Sequence, residues 1–201
     1  MKGERRNAAR RGRRGCGFAS LAFALCLAGA QARPSDVCIT AIRRALDGRA
    51  AWTMERTLGK GGRTLVSSGT VECVAKSGIV WRVTAPFESS VAMTTNAMVF
   101  ADEEGMRVKP LSELPHYAEI RAKTDAFAAG ETRAFEGLFD LSASDLPQDG
   151  WKLVMKPEIS AMERLFTEIE LTGAALPTNA VLKTADGGRC VIRFRENADA
   201  L

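Results

Sequence analysis

Apolar and polar positions alternate with two different periods along this 201-residue chain, and the changes of period mark its elements. Ser35-Asp36 supplies a cap for a short helix through Val37, Ile39, Ile42 and Leu46. Arg43, Arg44 and Asp47 fall on or near its wet side, and Gly48 stops it. From Ala50 the period drops to two, with Trp52, Met54 and Leu58 alternating with Thr53, Glu55 and Thr57. Gly59-Lys60-Gly61-Gly62 reads as a hairpin turn, because it lacks the spacing and the Ser/Thr of a phosphate loop. The next strand puts Leu65, Ser67, Gly69, Val71, Cys73 and Ala75 on one face. Lys76-Ser77-Gly78 turns it into a strand whose Ile79, Trp81 and Val83 point one way. Strands over 89–94, 97–101 and 106–109 complete an antiparallel meander of about six strands, the last hairpin closed by Asp102-Glu103-Glu104-Gly105.

The pattern then becomes helical. Ser112 caps a helix that takes Pro115 into its first turn, with Leu114, Tyr117, Ile120 and Phe127 on its apolar side and Gly130 at its end. A second short helix is predicted over 132–139. Strands resume at 151–155 and stop at Pro157, and a brief helical insertion covers 159–163. Leu165, Thr167, Ile169 and Leu171 then alternate with Phe166, Glu168 and Glu170, before strands at 181–184 and 190–195. No repeat or linker divides this region. It reads as one antiparallel α+β domain, a curved sheet with helices on one side.

The first 32 residues stand apart from that pattern. Lys2, Arg5, Arg6, Arg10, Arg11, Arg13 and Arg14 face a single Glu4, an apolar run over 17–28 follows, and Ala30-Gln31-Ala32 ends it. Basic, apolar and small residues in that order are the grammar of a secretory signal peptide, with cleavage expected after Ala32 and a mature domain over 33–201. Leu25 before Cys26 does not fit a lipidation site. The segment also reverses the meaning of the charge. The whole chain carries +4, but without residues 1–32 it holds 21 basic and 23 acidic groups, a net −2. That balance gives no reason to expect a nucleic-acid partner. With 46% hydrophobic residues the chain is too apolar for disorder.

Cys38, Cys73 and Cys190 remain in the mature region, either as one disulfide and a free thiol or as small buried side chains. Their spacing fits no zinc site, His116 is the sole imidazole, and no metal or cofactor is expected.

One stretch is specific. Gly69-Thr-Val-Glu-Cys-Val-Ala-Lys-Ser-Gly-Ile-Val-Trp-Arg-Val-Thr-Ala-Pro86 resembles a signature of the LolA-like periplasmic lipoprotein carriers: a Gly-initiated strand, a hairpin, a Trp-containing strand and a Pro. The signal peptide, the short helix and the first strand at Trp52-Thr53-Met54-Glu55 agree with it. The resemblance implies an open, incomplete antiparallel barrel of about eleven strands under a helical lid. It also implies a monomeric periplasmic carrier that takes acylated lipoproteins from an inner-membrane ABC transporter to an outer-membrane acceptor. Met54, Trp81, Val83, Met93, Met98, Phe100 and Met155 are then the expected acyl-cavity lining on the sheet, with Leu114, Tyr117, Phe127 and Phe135 on the lid. Methionine suits such a cavity because its thioether adapts to partners of variable shape. The same spacing also describes an ordinary filled core, and a solidly packed barrel with no apolar cavity would sink the carrier reading. In the family a hairpin arginine fastens the lid to helix carbonyls. That position falls here near Ala75, leaving Lys76 or Arg82 to serve.

A module of the same fold that binds glycolipids or senses lipoproteins is the alternative. Enzymatic readings are weaker: His116 on a helix, Cys73 or Cys190 without a nearby base, and Asp102-Glu103-Glu104 as a calcium ligand each have a plainer structural explanation.

Overall fold

The computed structural model describes residues 36–196 except 60, 75, 76, 130 and 132. The expected signal peptide, Ala75, Lys76 and the helix stop Gly130 lie outside the described residues, as does the side chain of His116. The chain opens with α1 (Asp36–Ala45) and continues through β1 (Gly48–Thr57), β2 (Thr64–Val74), β3 (Gly78–Ala85), β4 (Ser89–Thr94), β5 (Ala97–Asp102) and β6 (Gly105–Pro110). A 3₁₀ turn (Leu111–Glu113) leads into α2 (Pro115–Ala128). Then come β7 (Phe139–Leu146), β8 (Gly150–Pro157), α3 (Ser160–Glu163), β9 (Phe166–Gly173), β10 (Pro177–Thr184) and β11 (Arg189–Glu196).

All eleven strands form one antiparallel sheet in the order β6-β5-β4-β3-β2-β1-β11-β10-β9-β8-β7. Two meanders, β1 to β6 and β7 to β11, are joined by the pairing of β1 with β11, where Trp52 faces Phe194 and Met54 faces Ile192. β6 and β7 remain as free edges, so the barrel is open. The connection from one edge to the other carries α2, whose Ile120 and Phe127 are buried with the inward side chains of the strands. The lid is therefore the crossover itself, drawn over the concave face.

Inward and outward positions follow the alternation expected for a sheet with one dry face. Val71 and Cys73 of β2, Ile79 and Trp81 of β3, Val91 and Met93 of β4 and Met98 of β5 are all buried. The opposite face of β1 and β8 to β11 is laced by cross-strand ion pairs: Arg193 with Glu55, Lys152 with Glu170 and Lys183 with Glu168.

Five local expectations are corrected. Phe139–Leu146 is a strand with Phe139 and Leu141 turned inward, although its Asp and Ser content hides the signal. Residues 133–138 form turns rather than a second helix, with Ala134, Glu136 and Leu138 N–H groups donating to the carbonyls of Glu131, Arg133 and Phe135. Leu114, not Ser112, is the N-cap of α2, and Pro115 occupies its first position, where no N–H is needed. A bulge against Lys183 and Thr184 turns Phe166 into the core beside Ile169, so the expected alternation breaks there. On α1, Cys38, Ala41 and Ile42 face inward and Val37 is 48% exposed, which places Arg43 at the edge of the core instead of in water.

Candidate functional site

The concave face is built around aromatic pairs. Trp52 of β1 stacks on Trp81 of β3 with ring centroids 4.5 Å apart, and Phe194 of β11 meets Trp81 edge-on at 6.4 Å. From the lid side, Phe127 of α2 packs edge-on against Phe135 of the turn segment at 6.1 Å. All eleven residues expected to line an acyl cavity belong to this one cluster. Trp81, Met93, Met98, Phe127, Phe135 and Met155 are fully buried in it, and Met54, Val83, Phe100, Leu114 and Tyr117 pack against it half-buried. Burial also raises the Tyr117 phenol above its ordinary pKa.

An open cavity is not what surrounds them. One hollow among the described residues holds about 20 Å³ and lies between α2 and the β2–β3 hairpin, bounded by Leu46, Val74, Ile79, Arg121 and Thr124. That volume takes little more than one water. A second, open hollow of about 260 Å³ lies by Thr53, Ser68, Thr84 and Arg195, along the Trp52–Gly69 contact. The lid side chains thus occupy the concave face themselves.

Of the two expected lid fasteners, Lys76 lies outside the described residues. Arg82 is corrected: it alternates with the inward Trp81 and Val83, sits half-exposed on the convex face and pairs with Glu72 at 3.4 Å. Arg49 holds the same carboxylate at 2.9 Å, and together the two guanidinium groups lower the Glu72 pKa. The polar ties of the lid come from α2 and α1. Lys123 donates to the backbone carbonyls of Ala134 and Glu136 at 2.9 and 3.2 Å, clamping the turn segment onto the helix. Arg121, buried, pairs with Asp125 at 2.9 Å. Arg43 of α1 lies over the Phe127 ring, 5.4 Å from its centroid, and its Nε and Nη2 are buried without a hydrogen-bond acceptor among the described residues. Residue type alone marked neither Arg43 nor Lys123, since both stand on helices where a charge ordinarily faces water.

The chemistry of the remaining candidates is quiet. Cys38, Cys73 and Cys190 are buried thiols, and no disulfide joins any of them among the described residues. Desolvation, with Asp145 adding to it, pushes the Cys38 thiol up to about 12, and desolvation carries Cys190 to about 11 and raises Cys73 as well. A thiol held protonated is a poor nucleophile. Asp102 and Glu104 are drawn to Arg107 at 2.8 and 3.7 Å within their hairpin turn. Among the described residues no group of three or more His, Cys, Asp or Glu is arranged to hold a metal ion, and no helix is long and apolar enough to cross a membrane.

Among solved structures, the chain is similar to a LolA superfamily protein from Nitrosomonas europaea at 10% identity, over 75% of this chain and 85% of that one, with a TM-score of 0.40. LprF from Mycobacterium bovis matches at 10% identity over 81% of this chain and 92% of that one, with a TM-score of 0.36. A chain of the MucA/MucB complex from Pseudomonas aeruginosa matches at 13% identity over 78% and 56%, with a TM-score of 0.34. Curated protein sequences contain no match to the chain. The family model described as outer membrane lipoprotein carrier protein LolA-like matches residues 28–183, most of the chain. On that match, the chain belongs to the LolA-like family of outer membrane lipoprotein carrier proteins.

Proposed function

We propose that this protein is a periplasmic carrier, exported by a signal peptide cleaved after Ala32, that holds the acyl chains of lipoproteins or related lipids against its concave face. It takes them at the inner membrane from an ABC transporter and delivers them to an outer-membrane acceptor, acting as a monomer. The observation that carries the reading is the composition of the closed interior. Seven apolar side chains of an open sheet and four of the single crossover segment that covers it meet in one cluster. Such a cover can be displaced without breaking any strand pairing, which a closed barrel does not allow.

The packed interior tells against a carrier whose cavity stands open, so the carrier proposed here has to make its cavity as cargo enters. An acyl chain needs volume that Phe127 and Phe135 now fill, so α2 and the turn segment move outward when cargo enters. The exchange is balanced in kind, since one apolar surface replaces another and no polar group is newly buried.

The test is to express the full chain in cells with an outer membrane, purify it from the periplasmic fraction and extract it for mass spectrometry. Acylated lipoprotein or lipid recovered at about one equivalent supports the reading. A protein that carries none, and that takes up no fluorescent acyl probe after purification, is not a carrier. Recovery of glycolipid alone assigns the protein to the alternative role of a glycolipid-binding module.

A further inference from the structure

Lys123 and Arg121 of α2 both have oxygen acceptors, and Arg43 of α1 differs from them. It stands in the last turn of α1, its guanidinium rests on the Phe127 ring, and two of its nitrogens are buried with no acceptor among the described residues. A second buried donor without an acceptor, Trp52 Nε1, belongs to β1 in the same core. Guanidinium is charged at every working pH and carries donors only. Its desolvated N–H groups are unfavourable in the closed state, and the cation–π contact with Phe127 offsets part of that.

An acyl chain supplies what is missing. Its hydrocarbon takes the volume of Phe127, and the carbonyl or carboxylate at its head offers oxygen acceptors with no donor of its own. We propose that Arg43 is the polar anchor of the acyl site, donating from Nε and Nη2 to the oxygen at the head of a bound acyl chain once Phe127 has moved aside. This rests on the carrier reading, and it adds a recognition step: the site selects acyl groups that carry a head oxygen over plain hydrocarbon.

The purified protein, its Arg43→Met and its Arg43→Lys variants are titrated with palmitate, monopalmitoylglycerol and hexadecane, each displacing the fluorescent probe N-phenyl-1-naphthylamine. In Arg43→Met, affinity for at least one of the two oxygen-bearing probes falls about tenfold, the size of one lost charge-assisted hydrogen bond, while hexadecane affinity stays within about twofold. Loss confined to palmitate assigns the contact to a carboxylate, and loss for both assigns it to any acyl head oxygen. Arg43→Lys, which keeps the charge but not the planar fork, falls between, and it stands in if Arg43→Met does not fold. An equal loss for all three probes, or no loss, overturns the anchor and leaves the carrier reading intact. If the unmodified protein binds none of the three, the carrier reading fails and the anchor falls with it.

Discussion

Trp52 can lie against the backbone of β2 because position 69 carries no side chain. A Cβ there would come within 1.8 Å of the Arg82 carbonyl oxygen and 2.8 Å of the Trp52 ring, so either β3 or the indole would have to shift. Gly69→Ala is expected to destabilise the fold by about 1–3 kcal/mol, the usual penalty for overpacking, seen as a lower urea midpoint with an unchanged slope. The buried thiols make a second prediction, with a sign set by desolvation. Cys38 and Cys190 titrate near 12 and 11 when folded, above their ordinary value of 9.0, so the folded state favours the protonated form. Their contribution to stability is whole below pH 9.0 and is lost as pH rises through 11 and 12. Urea midpoints should therefore agree at neutral and mildly alkaline pH and fall above pH 9.0, and Cys190→Ala should soften that fall. Iodoacetamide at mildly alkaline pH should label none of the three until denaturant is added, as read by intact mass.

At the scale of elements, the lid is held by few polar ties and much apolar contact. Lys123 alone joins α2 to two successive turns of the 131–138 segment through carbonyl acceptors. Removing it with Lys123→Met should cost about 1–2 kcal/mol locally, at the lower end for bonds to a charged donor because the site is only partly buried. The check is hydrogen exchange: amides of 131–138 should exchange faster while those of β1 and β11 keep their protection. Elements whose residues keep one clear period are legible from the chain alone, as with Ile79, Trp81 and Val83, or Val71 and Cys73. The elements that escaped are those where tertiary context overrides local preference. β7 pairs as an edge strand with β8 despite its Asp and Ser, and Phe166 turns inward through a bulge that no alternation rule anticipates.

For the whole molecule, the free edges at β6 and β7 and the crossover between them make the lid the natural moving part. Adding acyl probe should raise hydrogen exchange in residues 115–138 and leave the paired strands unchanged; protection that is uniform with and without probe would mean that nothing opens. The inward side of the regular strands was also legible, because alternation assigns side chains to faces, and all eleven residues singled out from the chain are core residues. The polar contacts of the lid were not. The chain alone points to Arg82 for the lid and puts Arg43 on or near a wet helix side, yet Arg82 faces water beside Glu72 and Arg43 meets Phe127 inside. Residue spacing and local motif were enough to set the antiparallel meanders, the inward side of each regular strand and the resemblance to a carrier family. Whether the interior is hollow or filled, and which cation touches the lid, was settled only by the folded chain. Those outcomes depend on where a helix distant in the chain from its sheet partners comes to rest, and packing over that distance leaves no periodic trace in the chain.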